Sequence, residues 1–325
     1  MDSEVMSEVH LGCPPRFSGP HISRFTISLP QDVARSNHLH EEALETQNLE
    51  FDEDGDLNLP RRSTTNAQPS RVRIQHNITS SIPNVGLQVW RAELVLSDFI
   101  LHKSLCSSEL HGVMALELGA GTGMAGLLLA RIANTVFLTD HGNEILDNCA
   151  KNVQLNFGLL NYQATVYVRE LDWFNCWPPK AKLDVGEAPS TQRYSWTFKE
   201  IEDAENASLL VAADVIYSDE LTDVFFNTLK RLMSTGFKNG KNRVWGKEEI
   251  ASIKNMNYDE YGAWAGNVIG MVLYMALEKR YNFSLSDLDV VANGYSHFRS
   301  YLRDEDETNI ESSQLSFSLL HSLCF

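Results

Sequence analysis

The feature that most constrains this chain is a short, largely apolar run, Val113 to Leu118, that ends at the alternating glycines Gly119, Gly121 and Gly123. A brief apolar run closed by a turn reads as a strand buried on both faces. Glycines so closely spaced mark a backbone that approaches another group closely or turns into the left-handed region. Beyond the glycines the chain alternates: a helix is predicted from about Gly123 to Ile132, a strand Thr135 to Thr139, a helix Asn143 to Leu155 and a strand Thr165 to Leu171. A strand Ser208 to Ala213, a helix Leu221 to Met233 and a strand Val272 to Leu277 continue the pattern. Repeated strand–helix units imply a parallel sheet with helices on both faces. Ahead of the first strand, Val89, Leu94, Val95, Phe99 and Ile100 share one helical face.

Outside this core the pattern lapses. Residues 1 to about 80 mix Pro, Ser, His and acidic residues without a sustained period and read as a flexible, largely disordered arm, leaving 81–325 as the folded domain. Residues 235–270, rich in Lys, Asn and Gly, read as an atypical insertion, a surface excursion or a foreign segment. The formal charge of -16 argues against direct nucleic-acid binding and favours basic protein partners. The dispersed cysteines show no CxxC spacing, so neither a zinc site nor a disulfide framework is expected. No secretory signal is expected at the N-terminus, and Ala265 to Leu277 falls short of a membrane span. Metal-like patterns at Glu50-x-Asp52-x-Asp54-Gly55 and at His38, His40, Glu41 and Glu42 are read as solvated residues, because the first reaches Arg61 where a calcium loop needs Glu and the second lacks a rigid scaffold. No metal centre is expected.

The glycine turn, placed after a strand and before a helix, reads as the cradle of a nucleotide-like cofactor, whose close approach a side chain would block. Its letters fit two cofactors. Gly121-Thr122-Gly123-Met124-Ala125-Gly126 satisfies the dinucleotide fingerprint, whereas Glu117-x-Gly119-x-Gly121-x-Gly123, in which the turn begins directly after Leu118, favours S-adenosylmethionine. Asp140, at the end of the second strand, is placed to accept ribose hydroxyls from either. Asp172 and Trp173 close the third strand, where an acceptor and an aromatic ring suit an adenine; a core tryptophan is the competing reading. At the fourth strand's end, small Ala213 leaves room for the cofactor, and Asp214 and Tyr217 face the reacting centre.

Together, Val89-Trp90-Arg91, the Glu117–Gly123 motif, Asp140, Asn152-Val153-Gln154-Leu155-Asn156, Leu171-Asp172-Trp173 and Asp214-x-x-Tyr217 resemble the seven-β-strand protein lysine methyltransferases called methyltransferase-like proteins. Asp52 to Leu57 with Arg61-Arg62, Glu278 to Phe283 and Tyr295 to Phe298 extend the resemblance over about 50–233 and 272–303. It implies an α/β, Rossmann-like class I methyltransferase fold, with a doubly wound, mostly parallel seven-strand sheet whose last strands are incomplete here. It implies S-adenosyl-L-methionine as cofactor and a protein lysine ε-amine as acceptor. The nuclear DNA- and RNA-binding protein Kin is the implied target, with chaperones as further partners, for a monomer in the nucleus and cytoplasm. By the same resemblance Trp90, Gly119, Ala120, Gly121, Asp140, Trp173 and Ala213 contact the cofactor, and Glu117 anchors its methionine end. Asp214 and Tyr217 form the catalytic element. The rival readings are a non-catalytic cofactor-binding scaffold and an NAD-dependent oxidoreductase.

Overall fold

The computed structural model describes residues 4–7, 9, 19–27, 70–175, 177–181, 193–235, 261–268, 271–284, 289–301 and 317–320. Its elements are strands β1 (Glu4–Met6), β2 (His21–Ile27), β3 (Ser70–His76) and β4 (Thr79–Ser81), a 3₁₀ turn Ile82–Leu87, and helix α1 (Arg91–Cys106). Then come β5 (Met114–Leu118), α2 (Met124–Leu129), β6 (Thr135–Asp140), α3 (Asn143–Leu155), a 3₁₀ turn Phe157–Leu159 and β7 (Thr165–Glu170). The remainder is α4 (Phe198–Glu205), β8 (Leu209–Ala213), α5 (Asp219–Thr235), β9 (Tyr261–Val268), β10 (Met271–Glu278), β11 (Asn282–Ser284), β12 (Asp289–Val291), α6 (Asn293–Arg299) and β13 (Phe317–Leu320). Chain contacts define two units, 1–23 with 73–325, and 24–72. Of the second, only the ends of β2 and β3 are described, and these strands pair in a two-stranded sheet.

The main sheet is seven-stranded, in the order β13-β9-β10-β8-β5-β6-β7. Strands β10, β8, β5, β6 and β7 run parallel, and β9 and β13 add antiparallel pairings at one edge. Side chains alternate across each strand. Leu116, Leu118, Phe137, Leu210, Ala212, Leu273 and Met275 face one helical layer, where they pack with Ala204 of α4, Phe225, Phe226 and Leu229 of α5, and Phe298 of α6. On the other face α2 lies so close that a Cβ at Gly126 would stand 2.2 Å from Leu138 Cδ2 and 2.4 Å from Glu117 Oε2. There too Phe99 of α1 meets Tyr274 of β10, with ring centroids 4.8 Å apart. No described helix is long and apolar enough to cross a membrane.

Several expectations are corrected. Within the stretch read as a flexible arm, Glu4–Met6 pairs antiparallel with Thr79–Ser81, and β2 and β3 pair with each other. Strands β1 and β4, of three residues each, are too short to show a side-chain period, whereas β3 does alternate, with Val72, Ile74 and His76 buried, in a run too brief to stand out from the polar residues before it. The metal-like residues at 38–42 and 50–61 lie outside the described residues. Of the stretch read as an insertion, Tyr261–Val268 is strand β9, in register with β10, and 236–260 lies outside the described residues. The buried face of α1 is carried by Ala92, Glu93, Leu96, Ser97 and Ile100, displaced from the predicted apolar stripe because Glu93 is drawn inward to the glycine turn. Helix α4 is an addition. Its capping box, in which Glu200 N–H donates to Thr197 Oγ1 at 3.2 Å and Thr197 N–H to Glu200 Oε2 at 2.9 Å, is legible as Thr197-x-x-Glu200.

Candidate active site

Parallel strands bring their carboxyl ends to one edge of a sheet, and ligands of such folds bind in the crevice there. A cleft of about 510 Å³ opens at that edge, within the roughly 300–1,000 Å³ range of small-molecule sites. The residues assigned from the sequence to cofactor binding or catalysis line it: Trp90, Glu117, Gly119, Ala120, Gly121, Asp140, Asp172, Trp173, Ala213, Asp214 and Tyr217; Gly123 does not.

Glycine is required at the turn for two reasons. Gly119, Gly121 and Gly123 have φ of 70°, 52° and 79°, which costs other residues about 1–2 kcal/mol each. A Cβ at Gly119 would lie 2.8 Å from Val215 Cγ1 and 3.3 Å from Trp173, and one at Gly121 3.1 Å from Gly86 O. Asp140 braces the turn, its Oδ2 accepting the Gly121 N–H at 2.7 Å and its Oδ1 the His141 N–H at 2.7 Å. Each oxygen keeps a second lone pair for a ligand hydroxyl. Burial pushes the Asp140 carboxyl up, and these two amide bonds oppose the shift.

Beneath the turn, buried Glu117 accepts the Gly126 N–H at 3.0 Å. Buried Glu93, which sequence reasoning missed, accepts the Thr122 hydroxyl at 2.6 Å and the Met124 N–H at 3.1 Å, both on Oε1. These carboxylates therefore fill the N-terminus of α2, where an anionic ligand would otherwise sit. Burial pushes the Glu93 carboxyl up to about 7. Burial, reinforced by the neighbouring Glu93 charge, raises Glu117 well above the usual range. The signal for Glu93 was its place in the first turn of α1, three residues after Trp90.

The aromatic walls are only half-buried. Trp173 packs edge-on against Phe225 at 5.1 Å, so it serves the core and the cleft at once. The Trp90 indole N–H donates to Val85 O at 3.1 Å, and its ring carries the Arg280 guanidinium at 4.9 Å. Asp172 closes its own turn, its Oδ1 taking the Phe174 N–H at 3.0 Å and its Oδ2 the Asn175 amide at 2.7 Å.

A family model described as lysine methyltransferase matches residues 67–185. Methyltransferase-like protein 22 of Mus musculus is 32% identical over 325 aligned positions, which cover 85% of this chain and 71% of that protein. The chain belongs to the lysine methyltransferase family. The Homo sapiens methyltransferase-like protein 22 is 35% identical over 236 positions, 71% of this chain and 47% of that protein. A protein-lysine N-methyltransferase of Saccharomyces cerevisiae is 36% identical over 138 positions, 34% of this chain and 32% of that protein.

In this methyltransferase the residues after β8 complete the cleft. Asp214 is the one non-glycine residue with positive φ, 54°, among the described residues. It is held by its N–H on Ala276 O at 2.8 Å and by Arg280, which donates to Oδ2. Tyr217 stands half-exposed at the mouth, and burial, reinforced by the Asp140 and Asp214 charges, pushes its phenol up to about 12. It remains protonated at neutral pH. Val5 and Met6 of β1 form part of the wall, tied down where Gln88 donates to Val5 O at 3.0 Å. Nothing in the sequence announced either residue.

Proposed function

We propose that this methyltransferase binds S-adenosylmethionine in the cleft and methylates a lysine ε-amine of a basic protein segment. The observation that carries the cofactor reading is the occupied N-terminus of α2. A dinucleotide pyrophosphate needs those free N–H groups and an uncrowded positive helix end, whereas Glu93 and Glu117 already hold the Thr122, Met124 and Gly126 donors. A sulfonium's positive charge nearby would favour the ionised form of both carboxyls, whereas a pyrophosphate's negative charge would oppose it.

The remaining residues suit the cofactor's parts. Gly119 and Gly121 admit its backbone close to the turn, Asp140 can accept the ribose hydroxyls, and Trp173 presents a flat wall for the adenine. S-adenosylmethionine, when bound, supplies a methyl group on a cationic sulfur, taken up as the amine lone pair forms the N–C bond and the C–S electron pair returns to sulfur. Tyr217 and Asp214, which line the same cleft, are our candidates to orient the incoming amine. Lysine, with an ordinary pKa near 10.4, must first release a proton to solvent, and desolvation in the aromatic mouth assists by disfavouring the ammonium. Alignment and field, without a covalent enzyme intermediate, account for such a transfer.

We further propose, as the resemblance of the sequence implies, Kin as the substrate, a nuclear location with a cytoplasmic fraction, monomeric behaviour and chaperones as further partners. A nucleic-acid-binding substrate is basic, which complements a chain of formal charge -16. Calorimetric titration with S-adenosylmethionine and with NAD, followed by labelled methyl transfer to Kin, tests the reading. Saturable binding of the first cofactor and label on Kin are expected; saturable binding of NAD alone would overturn it. Cofactor binding with no methyl transfer to any protein would instead establish a non-catalytic scaffold.

A further inference from the structure

The acceptor end of the cleft contains a charge pair that neither cofactor binding nor methyl transfer has so far required. Asp214 Oδ2 accepts from Arg280 Nη2. The guanidinium lies over the Trp90 ring at 4.9 Å and 3.8 Å from Glu278 Oε2, and Glu278 in turn lies 3.6 Å from Arg91. Arg280 is thus held by a ring face and a carboxylate on either side. Among the described residues lining the cleft it is the one arginine or lysine, against Glu93, Glu117, Asp140, Asp172 and Asp214.

We propose that Arg280 neutralises Asp214, so that the acceptor lysine enters the cleft as a free amine instead of being held there as an ammonium. The inference rests on the lysine-methylation reading. A lone carboxylate about 4–6 Å from an amine stabilises the charged form and raises its pKa by about 1–3 units, the wrong direction for a nucleophile. Paired with a guanidinium, the same carboxylate presents almost no net charge, yet keeps lone pairs that can orient an N–H. The other groups facing the pair are the same in every variant compared below, so they do not alter the ranking. Arg91 of α1 and Glu278 of β10 offset each other, Tyr217 stays protonated, and Glu93 of α1 titrates near neutrality. Asp140 lies across the cleft, braced by the glycine turn. Arginine suits the position because its planar fork can bond Asp214 and stack on Trp90 at once.

Arg280 is therefore a positioning residue, and its signature is a pH profile. With Kin as acceptor, single-turnover methyl transfer is followed from about pH 6 to 10 for the wild type, Arg280→Gln, Asp214→Asn and the double variant, with circular dichroism to confirm folding. The expected midpoints rank Arg280→Gln highest, about one unit or more above wild type. The double variant lies near wild type and Asp214→Asn lowest, because the charge beside the amine runs from negative through neutral to positive. Arg280→Lys, which keeps the charge, leaves the midpoint in place. At pH 7 Arg280→Gln lowers kcat without raising KM. Coincident midpoints, or a raised KM with an unmoved midpoint, would overturn the proposal and leave Arg280 a structural residue. Should Arg280→Gln fail to fold, the ranking of the other variants still decides. Failure of the wild type to bind S-adenosylmethionine or methylate any protein removes the underlying reading, an outcome distinct from unmoved midpoints in an active enzyme.

Discussion

Glu93 joins α1 to the cofactor turn through one oxygen, since Oε1 accepts from both Thr122 and Met124. Its carboxyl, ordinarily near 4.5, is pushed up to about 7 by burial. Between those values the folded chain retains a proton that the unfolded chain has released, so stability falls as pH rises through this window, and the penalty is complete above it. Glu117 acts with the same sign. Glu93→Gln keeps the accepting oxygen and removes the titration. Urea unfolding at pH 5 and pH 8 is expected to show the wild type losing up to about 3 kcal/mol more than the variant. Parallel losses in both would show that Glu93 does not titrate in this range.

At the scale of elements, Asn148 and Asn152 of α3 and the residue that caps its C-terminus, Asn156, face β3, and these side chains stand in for a neighbouring strand along it. Asn152 Oδ1 accepts the Gln75 N–H at 2.7 Å, and its Nδ2 donates to Gln75 O at 3.0 Å and Thr122 O at 2.9 Å. Asn156 pairs in the same way with Arg73, its Oδ1 accepting the N–H at 2.8 Å and its Nδ2 donating to the carbonyl at 2.7 Å. The ladder connects the N-terminal strands to the glycine turn through Thr122. Asn152→Ala leaves several of these groups unsatisfied, so a loss of about 2–3 kcal/mol is expected. Denaturant unfolding measures the loss, and hydrogen exchange reads its location. A Gln75 amide as protected in the variant as in wild type would show that β3 is held by other contacts.

Over the whole molecule, the formal charge of -16 and the acidic cleft act together. A basic substrate is steered by the long-range field, and such steering weakens as salt shortens the Debye length from about 10 Å at 0.1 M to about 3 Å at 1 M. For Kin, the substrate proposed above, kcat/KM is expected to fall at least about tenfold across that interval. Free S-adenosylmethionine, binding inside the cleft, is expected to lose far less affinity. A salt-independent kcat/KM would place recognition in apolar contacts at the rim, where Met6, Ile82, Phe174 and Tyr217 are exposed.

The sequence alone determined what local pattern controls. The strand–turn–helix at Met114–Leu129, the elements β6, α3, β7, β8 and α5, and the glycine-turn and strand-end residues of the cleft were legible because strand and helix periods, and the need for glycine, act over a few neighbouring positions. Element ends differ by up to three residues, as at β6, which continues to Asp140, and at α2, which stops at Leu129. Tertiary structure decided what distant pairings control. Arg280 meets Asp214 across 66 residues and Thr122 meets Glu93 across 29, and no period records which carboxylate will find which donor. For the same reason Glu93 passed unnoticed in the sequence although it is buried. Glu4–Met6 read as part of an arm although it walls the cleft, and Tyr261–Val268 as an insertion although it extends the sheet. Backbone pairing and buried charge are satisfied by whatever the fold brings near, and that is settled only when the chain closes on itself.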